Sequence, residues 1–444
     1  SIVVPVFNNL HHTLGCLDSL AANTPHHLME VIVVDDASTD GTAETLQRVE
    51  GIEVLRLETN AGFAAAVGRG AEAARGRVVV FLNNDTEVRP GWLEALLDAI
   101  DSAPDVGAVG CKLVFGDGRL QEAGGIVWQD GTGANIGRGE DPQAPRHNVR
   151  REVDYCSAAA LMVRRDLFER LGGFDPRFSP AYYEDTDLCF RLRESGFRVL
   201  YEPRAEVVHH EGATHGDNGG AGLAAHVKAN QLVNRHVFVD RWSETLLRHL
   251  PAGTGDGVLM GRVSRAPRVL VCDAWMPCHD RDSGGLRMTW IVRLLRRLGC
   301  EVTLVPLDGR RREPYAAEMQ RAGIEVHYGG ETYADLVRRC RRLVDLVILS
   351  RPDGARACLE DTRRHLPNAT VVYDAVDLEF VREQRRLALI GETPSEDFHR
   401  ARRRELDVIR ACDLVAAITQ DEACSSAATT TPPTSTPRST SRAR

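Results

Sequence analysis

Hydrophobic and polar positions change period several times along this 444-residue chain. "IEVLRL" (52–57) reads as a strand, and "SIVVPVF" (1–7), "EVIVVDD" (30–36) and the start of "VVVFLNNDTEV" (78–88) are short, nearly continuous apolar runs. Such runs predict strands covered on both faces, as in a parallel sheet. Helical patterns lie between them. Leu10, Leu14, Leu17 and Leu20 recur at helical spacing over about 10–22. "STDGTAETLQRV" opens on Ser and Thr capping candidates, and "GFAAAVGRGAEAA" reads as a helix of small residues. The order β-α-β-α-β-α-β predicts a doubly wound, parallel α/β sheet.

Beyond residue 100 the pattern loosens. The Gly-rich, polar stretch 124–148 predicts a mobile loop. "AEVVHH" (205–210) reads as a strand, and a helical stretch follows near 222–250. A second α/β unit begins at "RVLVCD" (268–273). It continues through a loop, an amphipathic helix and a strand in "SGGLRMTWIVRLLRRLGCEVTLVPL". Further strands are expected in "LVDLVILSRP", "ATVVYDAVD" and "DLVAAIT". The expected division is a first domain over 1–250, a linker over 251–266, a second domain over 267–422 and a disordered tail over 423–444.

Composition narrows the class. The chain is 43% hydrophobic and 27% charged, as in a soluble globular protein. A net charge of −8 argues against general nucleic-acid binding. No apolar stretch is long enough to span a bilayer. No signal peptide is visible, and Ser1 sits inside an apparent strand, so a true N-terminus is expected upstream. The 11 cysteines include no CxxC pair, and Cys272, Cys278 and His279 fit no common zinc spacing. Free thiols in a reducing cytosol are the expectation.

The tail has its own signature. From Ala423 to Arg444 every residue is Ala, Cys, Ser, Thr, Pro or Arg. All of these can be encoded with C or G at the second codon position. Lys112 and Lys228 are the only lysines among abundant arginines, which suggests a GC-rich gene. A frame slip near Glu422 is the expected origin of the tail. A natural Ser/Thr/Pro-rich linker is the rival reading.

Four polar clusters carry candidate chemistry: Asp35-Asp36, Asn83-Asn84-Asp85, Glu184-Asp185-Thr186-Asp187 and His209-His210. Each has a bland reading. Asn-Asn-Asp is turn chemistry at a strand end. Asp35-Asp36 suits a helix cap. The acids at 184–187 suit a solvated first helical turn. The histidines suit a surface or a core. The functional reading is that oxygen ligands sit at the carboxyl ends of parallel strands, where open α/β sheets bind ligands. Such ligands suit a hard divalent cation and the phosphates it carries.

Order and spacing together make the chain resemble a family 2 glycosyltransferase of the GT-A fold, over roughly residues 1–245. "SIVVPVFNN", "VIVVDDASTDGT", "NAGFAAAVGRG", "VVFLNNDTEV", "GGFDPRF", "YYEDTDLCFRLRESGFRVLYEP" and "VVHHEGAT" carry the resemblance. It is nearest to the rhamnosyl- and galactofuranosyl-type branch of bacterial surface polysaccharide enzymes. The resemblance implies a nucleotide-pocket floor of Pro5, Phe7 and Asp36, with Asp36 facing the base. Asn60 and Gly62 match a loop beside the donor. Asn83, Asn84 and Asp85 match the DXD-type motif, with Asp85 the direct ligand of Mg²⁺ or Mn²⁺. His209 matches a histidine that completes the metal shell, with His210 the second choice. Asp185 matches the catalytic base. Gly68 departs from the asparagine of many relatives, which weakens the match in that loop.

The implied reaction is inverting transfer from a nucleotide-diphospho-sugar donor to a saccharide or lipid-linked acceptor. A cation neutralises the leaving diphosphate, and a separate carboxylate takes the acceptor proton. The expected location is cytoplasmic, with peripheral association at the inner face of the membrane left open. Residues 267–422 resemble the N-terminal half of a GT-B glycosyltransferase in the manner of family 4, where Gly284 and Gly285 match a loop near donor phosphates. The match stops inside that module, so an incomplete second module is expected. A sugar-nucleotide nucleotidyltransferase is the enzyme rival, but "PVFNNLHH" lacks the Gly-rich basic loop it needs. A non-catalytic nucleotide-binding scaffold is the other alternative.

Overall fold

The computed structural model describes residues 1–210, 221–252, 266–340 and 343–419, with no side chains described for 221–228. Most of the expected linker and all of the expected tail lie outside the described residues. The chain divides into two compact units, Ser1–Arg265 and Ala266–Arg444.

The first unit opens with β1 (Ile2–Val6), α1 (Leu10–Asn23), β2 (Val31–Asp35), α2 (Thr42–Leu46), β3 (Ile52–Arg56), α3 (Phe63–Ala73) and β4 (Val78–Leu82). These strands pair in parallel in the order β4-β1-β2-β3. Side chains of a strand alternate between faces. Ile2, Val4 and Val6 therefore enter a core with α1, whereas Val3 enters the opposite core with α3. Both faces of β1, β2 and β4 are covered, which is why they read as nearly unbroken apolar runs; β3, at the sheet edge, is only half-buried. The buried side of α1 is Thr13, Cys16, Leu17 and Leu20; Leu10 and Leu14 are only half-buried.

Next come β5 (Thr86–Val88), α4 (Trp92–Ile100), β6 (Val106–Val114), β7 (Leu120–Glu122), β8 (Gly125–Val127), β9 (Gly133–Asn135), β10 (Arg151–Glu152), β11 (Ala160–Arg164), α5 (Arg165–Arg170), α6 (Glu184–Glu194), β12 (Arg198–His209) and α7 (Ala221–Leu246). Here the sheet becomes mixed. β11 runs antiparallel between β4 and β6, and β12 runs parallel to β6. The stretch 124–148, expected to be a mobile loop, instead forms the β8–β9 hairpin, and Ile126, Val127 and Ile136 are buried in it. Glycine there serves close packing as well as turns. An added Cβ on Gly125 would collide with the Tyr155 ring.

The second unit comprises β13 (Arg268–Asp273), α8 (Ser283–Arg297), β14 (Glu301–Pro306), α9 (Tyr315–Arg321), β15 (Glu325–Val326), α10 (Tyr333–Arg339), β16 (Leu346–Ser350), α11 (Pro352–His365), β17 (Thr370–Asp374), α12 (Glu379–Ile390), α13 (Glu396–Ala411) and β18 (Leu414–Ala416). Its six strands are all parallel, in the order β15-β14-β13-β16-β17-β18. That is the doubly wound order whose direction reverses beside the first strand.

Gly70 tests the packing of α3 on the sheet. A Cβ there would collide with Val3 Cγ1 and lie 3.0 Å from Val34 Cγ2. Gly70→Ala gains helix propensity of about 1 kcal/mol, but overpacking costs about 1–3 kcal/mol. Net destabilisation is expected in urea unfolding. A more stable variant would show that α3 does not touch the sheet this closely.

Candidate active site

The parallel strands end together, and the turns that follow them are tied to one another. Pro5 lies in β1, and Phe7, just beyond it, is 37% exposed. Asn8 and Asn9 have φ of 57° and 59°, a region that asparagine tolerates better than most residues. The Asn8 side-chain oxygen accepts from the Thr39 amide at 2.8 Å, so the turns after β1 and β2 are joined. Asp36 is buried, and its two oxygens accept from the Ala61 and Gly62 amides at 2.7 and 2.9 Å. Its carboxylate thus shapes the 60–62 turn. Asn60 is exposed on that turn, and Gly62, with φ 84°, opens α3.

The 83–85 cluster follows β4. Asn83 donates its backbone amide to the Ala159 carbonyl at 3.0 Å. Asn84 is buried, and its side-chain amide donates to Thr13 on α1 at 2.9 Å. Asp85 is 2% exposed. β12 returns antiparallel to β5, with His209 opposite Thr86. His209 Nε2 thereby comes 3.3 Å from Asp85 Oδ1. His210 turns away to Glu87, 3.0 Å distant.

Gln121 on β7 fixes the histidine. Its Oε1 faces His209 Nδ1 at 3.1 Å. Carboxylate oxygen and imidazole nitrogen, with the second imidazole nitrogen held by an outer partner, suit a divalent metal. Among the described residues no third His, Cys, Asp or Glu completes a cluster. Substrate oxygens and water would fill the remaining positions.

Asp185 sits in the first turn of α6. Its Oδ2 accepts from the Ala158 amide at 3.1 Å and its Oδ1 from the Thr186 amide at 2.6 Å. Burial raises its carboxyl above the ordinary value, and these hydrogen bonds oppose the rise. The acids of this turn are not a solvated face. Glu184 is 7% exposed, and Asp187 is fully buried against Arg191 and the Trp242 indole. The Glu184 Oε2 is buried with no hydrogen-bond partner among the described residues. Burial, then the neighbouring Asp185, push the Glu184 carboxyl well above its usual range.

One backbone segment links the two carboxylate sites. Ala159 binds Asn83, Ala158 binds Asp185, and the Ser157 amide donates to Glu122 at 2.9 Å. Adjacent residues of β7 therefore reach both sides: Gln121 orients His209 and Glu122 holds the 157–159 segment. Neither was singled out from the sequence. The polar pair between Leu120 and Ala123 was the available signal.

The buried Glu184 gives a pH test. The folded chain holds its proton more tightly than the unfolded chain does. Its stabilising contribution is complete below the unfolded value of about 4.3 and is lost as pH rises through the folded value. Glu184→Gln removes that loss. The variant is expected to melt above the parent near neutral pH, with the gap closing toward about pH 4. Thermal unfolding across that range checks it; a gap that widens toward acid contradicts the burial.

Glycosyl transferase family 2 matches residues 1–172. The N-acetylglucosaminyl-diphospho-decaprenol L-rhamnosyltransferase of Mycobacterium tuberculosis (strain H37Rv) is 32% identical over 247 residues, covering 49% of this chain and 78% of that protein. O-antigen biosynthesis protein RfbC of Myxococcus xanthus is 34% identical over 225 residues, covering 48% of this chain. This chain spans only 17% of the Myxococcus protein. Among solved structures, the mannosyltransferase PcManGT from Pyrobaculum calidifontis, in complex with GDP-Man and Mn²⁺, aligns at 20% identity and a TM-score of 0.40, covering 55% of this chain and 67% of that one. The motif order along β1 to β12 and the extent of the rhamnosyltransferase match lead to one assignment: this chain belongs to glycosyl transferase family 2.

Proposed function

We propose that the first unit is an inverting, divalent-metal-dependent glycosyltransferase. It moves a sugar from a nucleotide-diphospho-sugar donor to a saccharide or lipid-linked acceptor. One observation carries the reading: the 157–159 segment bonds Asp185 directly and is joined to the Asp85–His209 pair through Asn83, two residues before Asp85, and through Glu122, next to the Gln121 that faces His209.

Asp85 and His209 would hold Mg²⁺ or Mn²⁺, which when bound neutralises charge on the leaving diphosphate. Phe7 offers an exposed ring at the nucleotide pocket, and Asp36 shapes its edge through the 60–62 turn. Asn83 and Asn84 brace the turn that carries Asp85. Asp185 accepts the proton of the attacking hydroxyl. Its raised carboxyl brings it nearer the operating pH, which suits proton transfer. A single displacement by that hydroxyl inverts the anomeric centre.

Two relatives are named for O-antigen biosynthesis and for rhamnosyl transfer to a decaprenol-linked sugar. They support a role in bacterial cell-surface polysaccharide synthesis, with an acceptor presented at the inner face of the membrane. No described helix is long and apolar enough to cross a bilayer. The second unit we read as the N-terminal, Rossmann-like domain of a GT-B glycosyltransferase. Its strand order supports this, as does the close packing at Gly285, where an added Cβ would lie 2.7 Å from the Cys278 carbonyl oxygen.

Nucleotide release across a panel of nucleotide-diphospho-sugars tests the reading with the full chain. Excess EDTA should stop turnover, and Asp85→Ala should abolish metal-dependent donor binding. Full turnover in EDTA sinks the metal assignment. Asp185→Asn should retain donor binding and lose about 10²–10⁴-fold in kcat. Loss of donor affinity at an unchanged kcat would instead make Asp185 a binding residue. NMR of the product should show inverted configuration; retention rejects the mechanism.

A further inference from the structure

We propose that Asn234, on α7, is a positioning residue that holds the segment leading into Asp185 in its working shape. The inference rests on the reading of Asp185 as the base. No motif in the sequence marks Asn234.

The segment between Phe178 and Glu184 has an uncommon backbone. Tyr182 and Tyr183 are consecutive non-glycine residues with φ of 80° and 73°. A left-handed conformation at such a residue costs of order 1–3 kcal/mol and persists only where its surroundings fix it. The segment's carbonyls converge on one donor. Asn234 Nδ2 lies 2.8 Å from the Phe178 oxygen, 2.9 Å from that of Ala181 and 3.0 Å from that of Tyr182. Three oxygens can face only the donor end of an amide, so the orientation of this side chain is settled by chemistry. Asn234 is 3% exposed, so water could not replace it easily.

The helix that carries Asn234 is itself anchored. Phe238, Trp242 and Leu246 are buried in the core. The Trp242 indole donates to Asp187 at 2.9 Å, and Arg241 pairs with Asp175 at 2.9 Å. Both acids flank the segment in sequence. The Phe238 ring stacks 5.3 Å from Tyr183, whose hydroxyl donates to the Gly131 carbonyl at 2.9 Å. A Cβ on Gly62 would lie 3.7 Å from the Pro180 oxygen, so the same segment abuts the turn beside the donor. Loss of the Asn234 amide removes the donor shared by three carbonyls and frees two disfavoured residues to relax. Asp185 follows two residues later and moves with them.

The metal pair does not touch this segment through any described hydrogen bond. Asn234→Ala is therefore expected to lower kcat by about 10–100-fold, since a shift near 1 Å can cost about 10²-fold. Donor KM should stay within about threefold. Asn234→Asp should be at least as slow, because a carboxylate would face three carbonyls. Asn234→Ser, which keeps one donor, should be intermediate, and it replaces the alanine variant if that chain does not fold.

The test is a double-mutant cycle with Asp185→Asn, joined to hydrogen exchange of amides 181–187. If Asn234 acts through Asp185, adding Asn234→Ala to Asp185→Asn slows turnover by less than about threefold more. Exchange over 181–187 should quicken in Asn234→Ala with the rest of the unit unchanged. Additive losses, or unchanged kcat in a folded variant, overturn the proposal. Should Asp185→Asn keep full turnover, the base assignment fails. Exchange alone then decides the role of Asn234, and unchanged exchange overturns it.

Discussion

The antiparallel pairing of β11 with β4 is the constraint on which this site depends. Its register sets Ala160 opposite Leu82. The residue beyond each partner continues the ladder, so Ala159 binds Asn83. From there, three consecutive residues meet the 83–85 turn, the Asp185 carboxylate and Glu122. A slip of one residue would exchange the faces of β11 and detach all three contacts. Burial protects the register: Leu161, Met162 and Val163 alternate between two filled cores.

Charge burial comes next. Asp85, Glu122, Glu184 and Asp187 are each nearly or wholly inaccessible. A buried carboxylate is expensive unless hydrogen-bonded or paired. Asp187 has Arg191 and Trp242, and Asp185 has two backbone amides. Glu184 Oε2 has no hydrogen-bond partner among the described residues, and burial beside Asp185 makes its proton hard to remove. The two adjacent acids of α6 therefore differ in kind. One accepts from two backbone amides, and the other has a buried oxygen without a hydrogen-bond partner among the described residues.

Much of this was legible in the sequence, and the exceptions are physical. Strands β1, β2 and β4 stood out because burial on both faces leaves a nearly unbroken apolar run. The β8–β9 hairpin did not, because glycines that admit Tyr155 and Val153 look the same in sequence as glycines in a loop. Spacing placed a helix at α1 but favoured Leu10 and Leu14. The sheet instead buries Thr13 and Cys16, which bond to Asn84 and lie against Thr86. Asp36 was expected to face the base; what the sequence did not indicate is that its oxygens also accept from the 61–62 amides. Gln121 and Asn234 were invisible because their partners lie 88 and about 50 positions away in the chain.

The central claim is that Asp85 and His209 hold the cation while Asp185 stands apart from it. Anomalous diffraction from crystals of the chain with Mn²⁺ and a nucleoside diphosphate tests this most directly. The account predicts one manganese peak within bonding distance of Asp85 and His209 Nε2, with Asp185 outside its coordination shell. A peak bound to Asp185, or no peak beside Asp85 in crystals that hold the nucleotide, would contradict it.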